Sequence, residues 1–271
     1  MVSFNLPSLN RFRGLSLTQR LRTPLRRLKD AIDGLSQKGK LDKELKGYQS
    51  LAQSAPGDVR VKLKMAELFF RKRDIAQAVA LYEEVAAIYD SEKLIMKAID
   101  AYHNVLRLCP TDVRINEKLG NLYRDATMPE EALQQYEIAF HNYRSQGSSV
   151  KALQMCENMI AISPNPHYRR KLGEIYQAIG NIEEAVKEYE TIATAYRRDK
   201  NYDALLEVYK LLLPHRPEKQ PLMRDMAILY LHKKSPQESI RLLDRAGLQD
   251  DPQCQEIYDK ARAMVIELAH T

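Results

Sequence analysis

Apolar and small residues along this chain fall into amphipathic runs with helical spacing, and the runs recur. From Tyr82 to Pro110 the sequence reads YEEVAAIYDSEKLIMKAIDAYHNVLRLCP. Tyr82, Val85, Ala86 and Tyr89 share one face of a helix. After a short polar break, Ala98, Tyr102 and Val105 mark a second run, and Pro110 closes it. Proline cannot continue a helix and restricts the residue before it. The order returns as Tyr136, Ala139, Phe140, Tyr143, Ala152, Cys156, Met159, Pro164, and again as Tyr189, Ile192, Ala193, Tyr196, Leu205, Tyr209, Leu212, Pro217. One further helix precedes each copy, marked by Met65-Ala66 with Phe69, Leu119-Gly120 with Tyr123, Leu172-Gly173 with Tyr176, and Met226-Ala227 with Tyr230. Nine residues after each of those aromatics stands a small residue: Ala78, Ala132, Ala185, Ser239.

Pro110 and Pro164 are 54 residues apart, and Pro164 and Pro217 are 53. A fixed period in this range predicts a stacked repeat of three helices, each about 17 residues long, in units at 58–110, 111–164 and 165–217. Small residues are expected where two helix backbones come close, with Tyr and Phe filling the space between neighbours. Gly120 and Gly173 are such positions. No single unit can bury its own apolar faces, so neighbouring units must.

At the ends the pattern is worn. Shifted back by one period, Tyr102, Val105 and Pro110 land on Tyr48, Leu51 and Pro56, and the preceding helix lands on Leu28, Ala31, Ile32 and Leu35. The expected organisation is a basic arm at 1–17, a partial repeat of two helices (18–36 and 41–53) within 18–57, repeats over 58–246, and a capping helix in 247–271. That last helix is read from about Gln253 to Ala269, with Ile257, Tyr258, Ala261, Met264, Val265 and Leu268 on its apolar side.

The residues resemble the tetratricopeptide repeat. Tyr82, Val85, Ala86, Tyr89, Ala98, Tyr102, Val105 and Pro110 match all eight intervals of that family's motif, and Met65, Ala66, Phe69, Ala78, Tyr82 and Val85 match six in an overlapping copy. The middle helix thus serves two repeats at once, which gives three helices per period. The resemblance covers roughly residues 58–246. It departs from the motif at Leu205 and Cys156, and at Lys62, Asn116, Arg169 and Met223, where a leading aromatic is usual. The resemblance implies an all-α, right-handed α-solenoid of antiparallel helices that binds a partner protein or peptide without catalysis.

Composition agrees with an all-helical reading: Gly (10) and Pro (12) are few, Trp is absent, and helix formers dominate. No apolar run reaches the roughly 18 residues of a membrane span. Three well-separated cysteines, Cys109, Cys156 and Cys254, suit free thiols in a reducing compartment, and a cytoplasmic protein is expected, with peripheral membrane contact the alternative. The net charge of +6 is uneven. Residues 1–40 carry nine Lys/Arg against two acids, whereas the rest of the chain holds 33 against 34. A near-neutral body argues against nucleic acid, which needs many cations along a groove.

No HExxH, CxxC, phosphate-loop or nucleophile-elbow pattern is present, and neither enzyme, metal, cofactor nor small-molecule substrate is expected. Candidate partner-binding residues are those of the first helices that point away from the apolar stripe: Arg60, Lys64, Arg71, Arg114, Lys118, Asn121, Arg124, Arg170, Lys171, Glu174 and Gln177. Lys64, Lys118 and Lys171 occupy one position of the period, and a row of lysines suits an acidic partner. With an odd number of helices per unit, equivalent helices alternate between layers, so the three lysines need not share a surface. Some members of the family hold a partner's terminal carboxylate with a Lys/Asn/Arg clamp; here Glu117 stands where the clamp wants Lys, so none is assigned. In the N-terminal helix, Arg20, Arg22, Arg26, Arg27 and Lys29 form a basic patch. It reads as the solvent face of a worn repeat, as a membrane- or acid-seeking amphipathic helix, or as a transit peptide. The 54-residue correspondence favours the first.

Overall fold

The computed structural model describes residues 17–269, except the side chains of 17–25 and 27–36. Every described element is helical. The chain divides into two compact units, one ending at Asp112 and one beginning at Val113. The first holds α1 (Leu17–Ser54), α2 (Val59–Arg71), α3 (Ile75–Ser91) and α4 (Ile95–Leu108). The second holds α5 (Val113–Asp125), α6 (Pro129–Ser145), α7 (Ser149–Ile162), α8 (Pro166–Ala178), α9 (Ile182–Arg198), α10 (Tyr202–Leu212), α11 (Gln220–His232), α12 (Pro236–Arg245) and α13 (Pro252–Ala269).

The period shows in the helix lengths. α2, α3 and α4 have 13, 17 and 14 residues, and α5, α6 and α7 repeat those lengths. α8 and α9 again have 13 and 17, and the 11 residues of α10 are extended by a three-residue 3₁₀ turn, Leu213–His215. Only the middle helix therefore has the expected 17 residues. The cores are those of the apolar stripes. Tyr82, Val85, Ala86, Ala98, Tyr102 and Val105 are buried in the first unit. In the second, Tyr136, Ala139, Phe140, Tyr143, Ala152, Cys156 and Met159 form one cluster, and Tyr189, Ile192, Ala193, Leu205, Tyr209 and Leu212 another.

The small residues lie where helices touch. A Cβ built on Gly120 would meet Tyr136 Cε1 at 2.6 Å, and one on Gly173 would meet Tyr189 Cε1 at 2.6 Å. Ala78, Ala132 and Ala185 are fully buried. So is Ser239, whose hydroxyl donates to the Ala227 carbonyl at 2.9 Å, so its polar atom costs little there. Where the leading aromatic is missing, polar residues tie the first helix to the middle one. Lys62 pairs with Glu84 at 2.6 Å, Asn116 Nδ2 donates to Gln135 at 2.9 Å, and Arg169 pairs with Glu188 at 2.9 Å.

Seven helix ends follow one rule. The residue four after the stripe aromatic takes a left-handed backbone: Arg73 after Phe69, Lys93 after Tyr89, Thr127 after Tyr123, Gly147 after Tyr143, Gly180 after Tyr176, Lys200 after Tyr196, Lys234 after Tyr230. The amide of the next residue then bonds back to the aromatic's carbonyl, as in Asp74 N to Phe69 O (2.9 Å) and Asn181 N to Tyr176 O (2.8 Å). This closes the last turn as a Schellman cap and satisfies carbonyls that the helix leaves open.

Three expectations about the ends differ from the structure. The break between 36 and 41 is absent, and α1 runs unbroken for 38 residues. Gly34 and Gly39 each cost about 1 kcal/mol in a helix interior, but neither compels a stop, and the residues around them are good helix formers. The inward packing expected of Leu21, Leu25, Leu28, Ile32 and Leu35 lies outside the described side chains. Further along α1, Leu45 is buried, Asp42 pairs with Lys72 at 2.5 Å, and Leu51, expected to match the buried Val105, is 53% exposed. α13 buries Cys254, Ile257, Tyr258 and Ala261, whereas Leu268 is exposed.

Candidate protein-binding site

In the first unit, α2 and α4 both pack on α3 and leave a cleft of ≈ 730 Å³ between them. Its floor is Leu63, Phe70 and Tyr82, and its walls are Arg60, Lys64, Glu67, Arg71, Asn104 and Arg107. Asp58 starts α2 by accepting from the backbone N–H of Arg60 (2.8 Å) and Val61. Arg60, Lys64, Glu67 and Arg71 stand at spacings of four, three and four, one above the other along the helix. Lys64 pairs with Glu67 at 2.9 Å, and this hydrogen bond raises the lysine's pKa. Arg60, Arg71 and Arg107 make no ion pair among the described residues. Burial raises the pKa of Tyr82, so its hydroxyl stays neutral. Four cations and one carboxylate surround an apolar floor in which Phe70 is 43% exposed.

Of the residues that line the cleft, sequence reasoning named Arg60, Lys64 and Arg71 but not the floor or the α4 wall. The signal at Phe70 was there: Phe69 keeps the packing register, and Phe70, one residue later, falls off it and faces outward. Arg107 is likewise displaced from the Ala98–Tyr102–Val105 stripe.

The other candidates are in the second unit, in different settings. Arg114, Lys118 and Arg124 are exposed on α5, where Arg124 also contacts Asp125 at 3.2 Å. Asn121 is half-buried and accepts from the Tyr136 hydroxyl at 2.7 Å, a packing role. Gln177, about one turn further along its own helix, accepts from the equivalent Tyr189 hydroxyl at 3.3 Å. Arg170 bonds Glu174, its neighbour one turn on, at 3.1 Å. Lys171 is enclosed. It donates to Glu137 and lies 5.1 Å over the Phe140 ring and 5.9 Å over that of Tyr168. That bond, followed by the charges of Lys171, His141 and His167, holds the Glu137 carboxyl below its ordinary range despite partial burial. Lys64, Lys118 and Lys171 thus share a position in the period but not an environment. Glu117, where a clamp would want lysine, accepts from the Tyr143 hydroxyl at 2.6 Å. In the basic patch, Arg26 is exposed, and the side chains of Arg20, Arg22, Arg27 and Lys29 lie outside the described residues.

Among the described residues no helix is long and apolar enough to cross a membrane, and no group of three His, Cys, Asp or Glu is placed to hold a metal. Cys156 is fully buried, and desolvation pushes its thiol up to about 12.

Residues 60–91, which are α2 and α3 with the turn between them, match the tetratricopeptide repeat family. The spacing and packing of that matched pair return in α5–α6 and α8–α9. The chain carries tetratricopeptide repeats. Solved structures with some likeness include MamA (19% identical, 66% of this chain and 94% of that one covered, TM-score 0.25). Others are the P58(IPK) tetratricopeptide-repeat domain (13%, 90% and 99%, 0.27) and a tetratricopeptide repeat protein from Parabacteroides merdae (13%, 88% and 98%, 0.30). No curated protein matches the chain. The α2–α4 cleft therefore lies on a matched tetratricopeptide repeat and the helix that follows it.

Proposed function

We propose that this tetratricopeptide-repeat chain is a non-enzymatic interaction scaffold that takes an acidic segment of a partner protein into the α2–α4 cleft. The observation that carries the reading is the convergence of Arg60, Lys64, Arg71 and Arg107 on a cleft floored by the exposed Phe70. Guanidinium groups suit carboxylates because their paired N–H donors match the two oxygens. Exposed rim charges steer a partner in, and salt weakens that steering over a Debye length of about 8 Å at physiological ionic strength.

Affinity capture with the full chain tests the reading. A partner should be retained at low salt, released as salt rises, and lost from an Arg71→Glu/Arg107→Glu variant of unchanged helicity. Retention of the same proteins by that variant would show that the cleft is not the seat. A second reading, peripheral contact with an anionic membrane, draws on the exposed Arg26, Lys38, Lys40, Lys43 and Lys46 along α1. Flotation with anionic vesicles separates the two, because it should depend on α1 and be indifferent to Arg71 and Arg107.

A further inference from the structure

The charges of the α2–α4 cleft are arranged, and their order carries more than their sum. Arg60 and Arg71 stand at opposite ends of α2, 11 residues apart, and both line the cleft. At 1.5 Å per residue their backbones are about 16 Å apart along the helix axis. Eleven residues are close to three full turns, so the two point the same way. Between them stands Glu67, with Leu63, Phe70 and Tyr82 around it, and Lys64 is already occupied by Glu67. The cleft therefore reads positive, then apolar with a neutralised Lys64–Glu67 pair, then positive.

We infer that, if the cleft is the partner's seat as proposed above, it selects an extended peptide with one carboxylate near each end and apolar side chains between them. An extended chain advances about 3.3 Å per residue, so about five residues span the 16 Å from Arg60 to Arg71. A carboxylate at the centre would find no unpaired cation there, since Lys64 and Glu67 already neutralise each other. Large apolar side chains there cover Leu63 and Phe70. Arg107, on the α4 wall, adds a second donor group across the cleft. The occupant is thus a short acid–apolar–acid segment, not a uniformly acidic tail.

Fluorescence polarisation with the full chain and labelled synthetic peptides tests this. The reference probe is Ser-Glu-Ser-Leu-Leu-Ser-Glu-Ser, whose glutamates are five residues apart. The informative competitor is Ser-Glu-Ser-Glu-Glu-Ser-Glu-Ser. Simple charge attraction makes that more acidic peptide bind more tightly, whereas the pattern makes it bind about tenfold more weakly. A peptide of the reference composition with its glutamates adjacent should also weaken. Arg60→Gln and Arg71→Gln, both at exposed positions, should each cost the reference probe several-fold and cost the adjacent-glutamate peptide less. Tighter binding of the more acidic peptide, equal binding of all three, or no binding of any of them overturns the inference. The cleft as the partner's seat fails separately, if capture of a partner survives Arg71→Glu/Arg107→Glu.

Discussion

Replacing Gly173 by alanine sets two known effects against each other, and the structure says which wins. In an ordinary exposed helix the change stabilises by up to about 1 kcal/mol, because alanine is the better helix former. Here the new methyl would sit 2.6 Å from Tyr189 Cε1 and 3.1 Å from Cδ1, whereas carbon atoms at their energy minimum are about 3.5–4.0 Å apart. The shortfall is about 1 Å. Tyr189 is fully buried among Ala185, Ile192 and Leu205, so its ring cannot swing clear. Either α8 and α9 separate or the ring is forced off its rotamer, and such overpacking typically costs about 1–3 kcal/mol. A cost near the top of that range, less the helix gain, leaves a net loss of about 1–2 kcal/mol for Gly173→Ala. Gly173→Leu should lose more, and Lys118→Ala far less. Urea unfolding followed by circular dichroism at 222 nm reads these differences, with the midpoint falling and the slope unchanged. The chain contains its own compensated version: Ala227 stands 16 residues before Leu243, as Gly173 does before Tyr189, and both are buried. Adding Tyr189→Leu to Gly173→Ala should therefore cost less than the sum of the single changes, a coupling of about 0.5 kcal/mol or more. Gly173→Ala as stable as the parent would mean that the contact is soft and that glycine is not required by packing.

Other outcomes follow from the same geometry. Lys200 holds a left-handed backbone (φ 53°), where a side chain costs about 1–2 kcal/mol; Lys200→Gly should raise the melting temperature, and Gly180→Ala (φ 82°) should lower it. With its thiol pushed up to about 12, Cys156 should not react with Ellman's reagent at pH 8 until the protein is unfolded, and the buried Cys254, also shifted upward, should behave alike. Cys109, half-buried, should react first. The Glu137 carboxyl, held low chiefly by Lys171, contributes stability that is complete above the unfolded carboxylate range and is lost as pH falls through its folded value. Glu137→Gln should therefore cost at most about 1 kcal/mol at pH 7, and its difference from the parent should close on acidification.

The repeat was legible because its signal is steric. A glycine beside a tyrosine, or an alanine at a fixed interval from an aromatic, is a constraint between neighbours in sequence and space, and it returns with the period. Tyr136, Cys156 and Leu205 all lie where the spacing put them. The binding residues were only half legible, because exposed side chains obey no such constraint. Lys171 looks like Lys64 in the period, but two aromatic rings and Glu137 enclose it, and nothing near Lys171 in sequence announces Glu137. Phe70 was overlooked for the opposite reason: an aromatic next to a register aromatic is easily read as core, and only the direction of its neighbour shows that it faces out. α1 was read as two helices because its second half was aligned to a terminal helix that begins after a turn. The alignment did not hold at Leu51, and the glycines at 34 and 39 are merely unfavourable inside a helix.

The rule that ends seven of these helices has a consequence for how such a chain can change. Because the aromatic that packs the stripe also fixes, four residues on, where the backbone reverses, core position and helix length are written by one residue. An insertion of a residue or two inside a helix would rotate its stripe off the neighbour and carry its cap out of place together. An excision or duplication that joins equivalent points, 53 or 54 residues apart, would disturb neither. Growth by whole periods is open to this architecture and growth by single residues is closed within its helices, so variation in size falls to the connections and to the two ends.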